Sequence, residues 1–126
     1  MTIAIITARG GSTRIPRKNL ADLCGKPLVA WSIEQAKASS MVDEVWLTTD
    51  DDEIAEVGAR AGARIIRRPV WDNGVSAGVP FLHALDTIKA EHAIDIVVAL
   101  LPTSPLRRPG DIDRLVREAQ ASGAIV

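Results

Sequence analysis

Short apolar runs alternate with amphipathic stretches along the whole 126-residue chain, and no other feature limits its fold as much. Residues 2–7, Val42 to Thr49, 63–67 and Ile94 to Leu101 have the length and apolar content of strands. Between and after them, apolar residues recur at helical spacing. The sets are Val29, Ile33 and Ala36; Ile54, Val57 and Ala61; Phe81, Leu85 and Ile88; and Ile112, Leu115, Val116 and Ala119. Helices are therefore predicted from Pro27 to near Ser39, over 51–61, from Ser76–Pro80 to near His92, and from Pro109–Asp111 onward. Pro27 and Pro80 suit first turns, because a proline deeper in a helix costs about 3 kcal/mol. Gly62 closes the second helix. This alternation predicts an α/β fold, a parallel sheet with helices on both faces and right-handed crossovers. Ile94 to Leu101 is strongly apolar, so it is expected to be the central strand, buried on both faces.

Composition removes several classes of function. With 47% apolar and 25% charged residues, the chain is an ordinary globular sequence, long enough for one core over residues 1–126. A formal net charge of -1 gives no global electrostatic case for nucleic acid. The lone Cys24 rules out an internal disulfide and a cysteine-rich metal site, and is read as a small buried group or a bystander. No apolar run approaches about 18 residues, so no membrane span is expected. The N-terminus is already strand-like, which makes the cytoplasm the expected location. Gly123-Ala124-Ile125-Val126 resembles the start of another strand. The expectation is a domain incomplete at its C-terminus, part of a longer protein.

The first strand, Ile3-Ala4-Ile5-Ile6-Thr7, runs into a polar loop over 8–26, broken only by Leu20 and Leu23. Arg9, Arg14, Arg17 and Lys18 stand beside the pair Gly10-Gly11. Adjacent glycines allow tight turns and close backbone approach. Together with the cations and with exposed backbone N–H groups, they suit a triphosphate. The spacing matches neither a Walker loop nor the dinucleotide fingerprint. A solvated basic loop remains the alternative reading.

In a parallel sheet each strand-to-helix loop emerges on one edge, where ligands bind. Four such loops are unusually polar: 8–19, 49–53, 67–76 and 101–107. Their convergence would gather Arg9, Arg14, Lys18, Asn19, Asp50, Arg68, Ser76, Thr103, Ser104 and Arg107. Fixed cations of this kind stabilise charge on phosphate oxygens during phosphoryl or nucleotidyl transfer. Asn19 suits ribose or base recognition, or else holds the end of the loop. Asp50 is read first as a helix cap, with a metal or a ligand hydroxyl as the alternative. Arg68 and Arg107 suit either a carboxylate grip or a surface ion pair. His83 reads as a packed residue and His92 as a cation at a helix C-terminus. Neither joins a metal triad, and Ser12 and Ser104 have no histidine placed for a hydrolase triad.

Several of these motifs together resemble one family. Ala8-Arg9-Gly10-Gly11-Ser12-Thr13-Arg14-Ile15-Pro16-Arg17-Lys18-Asn19 resembles the opening motif of the acylneuraminate cytidylyltransferases, the CMP-sialic acid synthetases. The likeness continues through Gly25-Lys26-Pro27-Leu28, Thr48-Thr49-Asp50-Asp51-Asp52-Glu53, Arg68-Pro69, His83-Ala84-Leu85 and Leu101-Pro102-Thr103-Ser104-Pro105-Leu106-Arg107. The resemblance implies a Rossmann-like fold of the nucleotide-diphospho-sugar transferase type. It implies transfer of CMP from CTP to an acylneuraminate or related nonulosonic acid, with magnesium and with release of pyrophosphate. By the same likeness Arg9 and Lys18 would be catalytic contacts to the triphosphate. Ala8, Gly10, Gly11, Ser12, Arg14, Asn19, Arg68 and Ser76 would line the nucleotide, and Thr103, Ser104 and Arg107 the sugar. The family's magnesium aspartates would fall beyond Val126, so the 126-residue chain alone is expected to be inactive, and the full protein to be a homodimer. The family usually has glutamine where this chain has Leu101, and a hydroxyl where it has Ala77. The alternatives are therefore another acidic-sugar nucleotidyltransferase, using Kdo or a GDP-activated sugar, and a non-catalytic nucleotide-binding module.

Overall fold

The computed structural model describes residues 1–10, 20–69, 78–100 and 110–122. In chain order the elements are β1 (Thr2–Ala8), β2 (Asp22–Leu23), β3 (Lys26–Pro27), α1 (Leu28–Lys37), β4 (Glu44–Thr49), α2 (Asp52–Arg60), β5 (Arg64–Arg67), α3 (Gly78–Lys89), β6 (Ile96–Leu100) and α4 (Asp111–Ser122). Strands β5, β4, β1 and β6 pair in that order, all parallel. Successive strand side chains point to opposite faces, so each strand feeds two cores. Ala4, Ile6, Val45, Leu47, Ile96 and Val98 face α1, α2 and α4 through Val29, Ile33, Ile54, Ile112 and Val116. Ile3, Ile5, Ile66 and Val97 face α3 through Ala84, Leu85 and Ile88. The predicted α/β sheet with helices on both faces is the fold observed.

Among the described strands β1, not β6, holds a middle place. Ile94 to Leu101 was expected in the middle of the sheet, but β6 lies at one end of the strands described, and β1 is paired on both sides. Ile3, Ala4, Ile5 and Ile6 are all fully buried, whereas Ala99 of β6 is exposed. A continuous apolar run reports cover on both faces, which α3 and α4 supply to β6. It does not report a place in the strand order.

Two smaller expectations also change. The polar stretch before α1 contains the antiparallel pair β2–β3, too short to leave a periodic signal. Cys24 is exposed at its turn, with φ of 52°, which agrees with the bystander reading. Pro27 precedes α1 instead of lying inside it. Gly62 does end α2 as read, with φ of 99°, a conformation that strains any side-chain-bearing residue.

The N-terminal edge of the sheet is tied by local anchors. Asp43 accepts the Thr2 N–H at 2.7 Å, and Asp95 accepts the terminal amine at 2.6 Å. The opposite edge, where β1, β4 and β5 end, is where polar residues gather.

Candidate nucleotide site at the sheet edge

Side chains on the α3 face of the sheet change from apolar to charged along the strands. Ile5 pairs with Trp46, then Thr7 with Thr48, and Thr48 with Ile66. Two residues further along each strand come Arg9, Asp50 and Arg68. Parallel pairing thus delivers two cations and a carboxylate to one end of one face, which is where open α/β sheets bind ligands. Thr48 is fully buried, and its hydroxyl has no hydrogen-bond partner among the described residues.

Asp50 joins the three strands. Its Oδ1 accepts the Gly10 N–H at 2.8 Å, and its Oδ2 lies 3.7 Å from Nη1 of Arg68. Both side chains are nearly inaccessible, at 7% exposure for Asp50 and 4% for Arg68. The Arg68 main chain is fixed as well, its N–H donating to Thr49 O at 3.0 Å. Burial pushes the Arg68 guanidinium below its ordinary value; the Asp50 carboxylate opposes that shift, and the charge of Arg9 adds to it. Arg9 itself is exposed at the end of β1.

The adjacent arginines have different roles because strand side chains alternate. Arg67 turns to the other face, donating to Thr49 O at 3.1 Å and to Asp52 Oδ1 at 2.7 Å. With Asp52 96% exposed, that pair is a surface contact worth little. Arg68, one residue on, is the buried member.

The α2 cap is a second correction. Asp50 was read first as the capping carboxylate, but β4 ends at Thr49 and α2 begins at Asp52, which leaves Asp51 in the cap position. Asp51 Oδ2 accepts the Ile54 N–H at 2.9 Å. Asp51→Ala should lower the unfolding free energy by about 1 kcal/mol, measured by urea titration. Asp51 also crowds Gly10: a Cβ built there would lie 2.8 Å from Asp51 Cβ. Gly10 is thus required for close approach of β1 to the β4–α2 turn.

Of the residues the sequence singled out, Ala8, Arg9, Gly10, Asp50 and Arg68 meet at this edge. Gly11, Ser12, Arg14, Arg17, Lys18, Asn19, Ser76, Thr103, Ser104 and Arg107 lie outside the described residues. His83 is half-buried on α3, as read, and the His92 ring meets Trp46 edge-on at 6.0 Å. Among the described residues, no group of three His, Cys, Asp or Glu side chains is placed to hold a metal ion. No described helix is long and apolar enough to cross a membrane. The link from Asp50 to Gly10 was missed; strand phase, which puts Arg9, Asp50 and Arg68 on one face, was the signal that could have found it.

Comparison with known proteins identifies the family. Residues 3–124 match the family model described as Cytidylyltransferase. The chain is 42% identical over 108 residues to the pseudaminic acid cytidylyltransferase of Campylobacter jejuni, covering 82% of this chain and 47% of that protein. It is 35% identical over 121 residues to N-acylneuraminate cytidylyltransferase B of Danio rerio, covering 95% and 28%. Among solved structures, CMP:2-keto-3-deoxy-manno-octonic acid synthetase complexed with CTP superposes with a TM-score of 0.80 at 30% identity, covering 98% of this chain and 48% of that one. The chain therefore spans less than half the length of each of these three relatives. The family match over nearly the whole chain, on a parallel sheet, establishes that this chain belongs to the cytidylyltransferase family.

Proposed function

We propose that the protein transfers CMP from CTP to an acidic nonulosonic sugar, releasing pyrophosphate. The observation that carries this reading is the start of the glycine–arginine loop at the C-terminal end of β1, beside the buried Arg68 and anchored to Asp50. In the reaction, the anomeric hydroxyl of the sugar attacks the α-phosphorus. A P–O bond forms, the bond to the bridging oxygen of the β-phosphate breaks, and the hydroxyl proton passes to solvent. Negative charge grows on the departing pyrophosphate. Arg9, with Lys18 from the same loop, would stabilise that charge, and fixed cations do so without reorganising. Gly10 contributes close backbone approach rather than a donor, since its N–H is directed to Asp50.

Magnesium is part of this reading, as a counter-charge to the triphosphate. The described residues do not fit it: Asp50 and Asp51 each direct a carboxylate oxygen at a backbone N–H. Its ligands would come from elsewhere in the full protein, and no step is derived through the ion. Ser76 is proposed on the nucleotide and Thr103, Ser104 and Arg107 on the sugar, with a cytoplasmic homodimer as the assembly.

The names of the relatives support an acidic sugar and differ on which one. Similarity to a pseudaminic acid enzyme favours a nine-carbon acid. Similarity in fold to a CMP:2-keto-3-deoxy-manno-octonic acid synthetase favours the eight-carbon acid as the second reading. A pyrophosphate-release assay on the full-length protein decides between them. It crosses CTP and GTP with pseudaminic, sialic, legionaminic and Kdo acids. Release with CTP and a nonulosonic acid is the expected result, and no release with any pair would sink the enzyme reading.

A further inference from the structure

Both oxygens of the Asp50 carboxylate face groups of the protein itself, Gly10 N–H on one side and Arg68 on the other. A residue so occupied does not need to touch substrate to matter. Gly10 is the point at which β1 becomes the loop, and glycine has the greatest backbone freedom of any residue. Here that freedom is removed from two directions. The Asp50 carboxylate holds the Gly10 N–H, and the Asp51 Cβ closes the space where a Gly10 side chain would lie. Gly10 is thereby fixed against the β4–α2 turn. The same carboxylate lies 3.7 Å from the guanidinium of the buried Arg68.

We infer that Asp50 is a positioning residue of the nucleotide site: it fixes the exit of the glycine–arginine loop through Gly10 and holds Arg68 beside it before any nucleotide arrives. This deepens the cytidylyltransferase reading and rests on it. A loop held in place loses less freedom when the triphosphate binds, so part of the ordering cost falls on the fold rather than on the ligand. Asp50 acts on CTP through Gly10 and Arg68, and its removal weakens nucleotide binding more than sugar binding.

The test uses the full-length protein and the isosteric variant Asp50→Asn, which removes the charge facing Arg68 and leaves one amide oxygen in place of two carboxylate oxygens. Asp43→Asn is the control, since Asp43 anchors the opposite end of β1 through Thr2. The KM for CTP should rise about tenfold in Asp50→Asn, as expected for losing a hydrogen bond to a charged group. The KM for the acidic sugar should change less than about twofold, and Asp43→Asn should leave both near wild type. Should Asp50→Asn fail to fold, Asp50→Glu keeps the counter-charge and displaces the acceptor from Gly10. It should raise the CTP KM in the same direction. An unchanged CTP KM in a folded Asp50 variant overturns the inference. So does an equal rise in Asp43→Asn, which would mark a general loss of stability. Thermal shift of the wild type with CTP separates the two failures. A shift by CTP with identical behaviour of the Asp50 variants removes only the role of Asp50. No shift and no pyrophosphate release removes the cytidylyltransferase reading and the inference with it.

Discussion

Arg9→Ala in the full-length protein should lower pyrophosphate release from CTP about a hundredfold, the usual scale for removing one preorganised group that stabilises transition-state charge. Stability should not fall with it. Arg9 is exposed, belongs to neither core, and adds an unfavourable charge beside the buried Arg68. Thermal denaturation should therefore give a melting temperature close to that of the wild type, as for most substitutions of exposed side chains. Separation of activity from stability is the informative part. An inactive variant that is also unfolded would show that Arg9 holds the fold together. An active variant would remove Arg9 from the proposed phosphate contacts.

Arg68→Met has the opposite signature, a large loss of stability. Methionine roughly matches the length of the side chain and leaves Asp50 buried without its cation. Removing one member of a buried pair costs about 3–5 kcal/mol, and the 3.7 Å separation puts this pair at the low end, near 3 kcal/mol. Urea unfolding measures it. The companion double variant, Asp50→Asn with Arg68→Met, should recover part of the loss, because the stranded charge is gone. Strict additivity of the two single effects would show that the two side chains do not interact. Nucleotide affinity should fall in both the single and the double variant, since neither retains the cation.

Fold class was legible because each signal concerns local burial. Helical spacing put Val29, Ile33 and Ala36 inward, and they are buried against the sheet. Strand order was less legible. The run at β6 looks central by composition, yet composition records cover on two faces and not the number of neighbouring strands. The site divided in the same way. Arg9, Gly10, Asp50 and Arg68 could be named from the ends of predicted strands, because parallel topology sends those ends to one edge. The role of Asp50 could not. Moving a helix start by one residue exchanges cap and anchor between Asp50 and Asp51, and sequence signals do not fix helix ends that closely. Arg67 and Arg68 are equivalent in the sequence. Strand alternation alone exposes one to solvent and buries the other beside a carboxylate.

The most direct measurement is phosphorus NMR of the full-length protein incubated with CTP, magnesium and pseudaminic acid. Transfer of CMP predicts that the three triphosphate resonances give way to one phosphodiester resonance and one pyrophosphate resonance, in equal molar yield. Persistence of the triphosphate pattern with each nonulosonic acid and with Kdo, or loss of only the γ-phosphate, would contradict it.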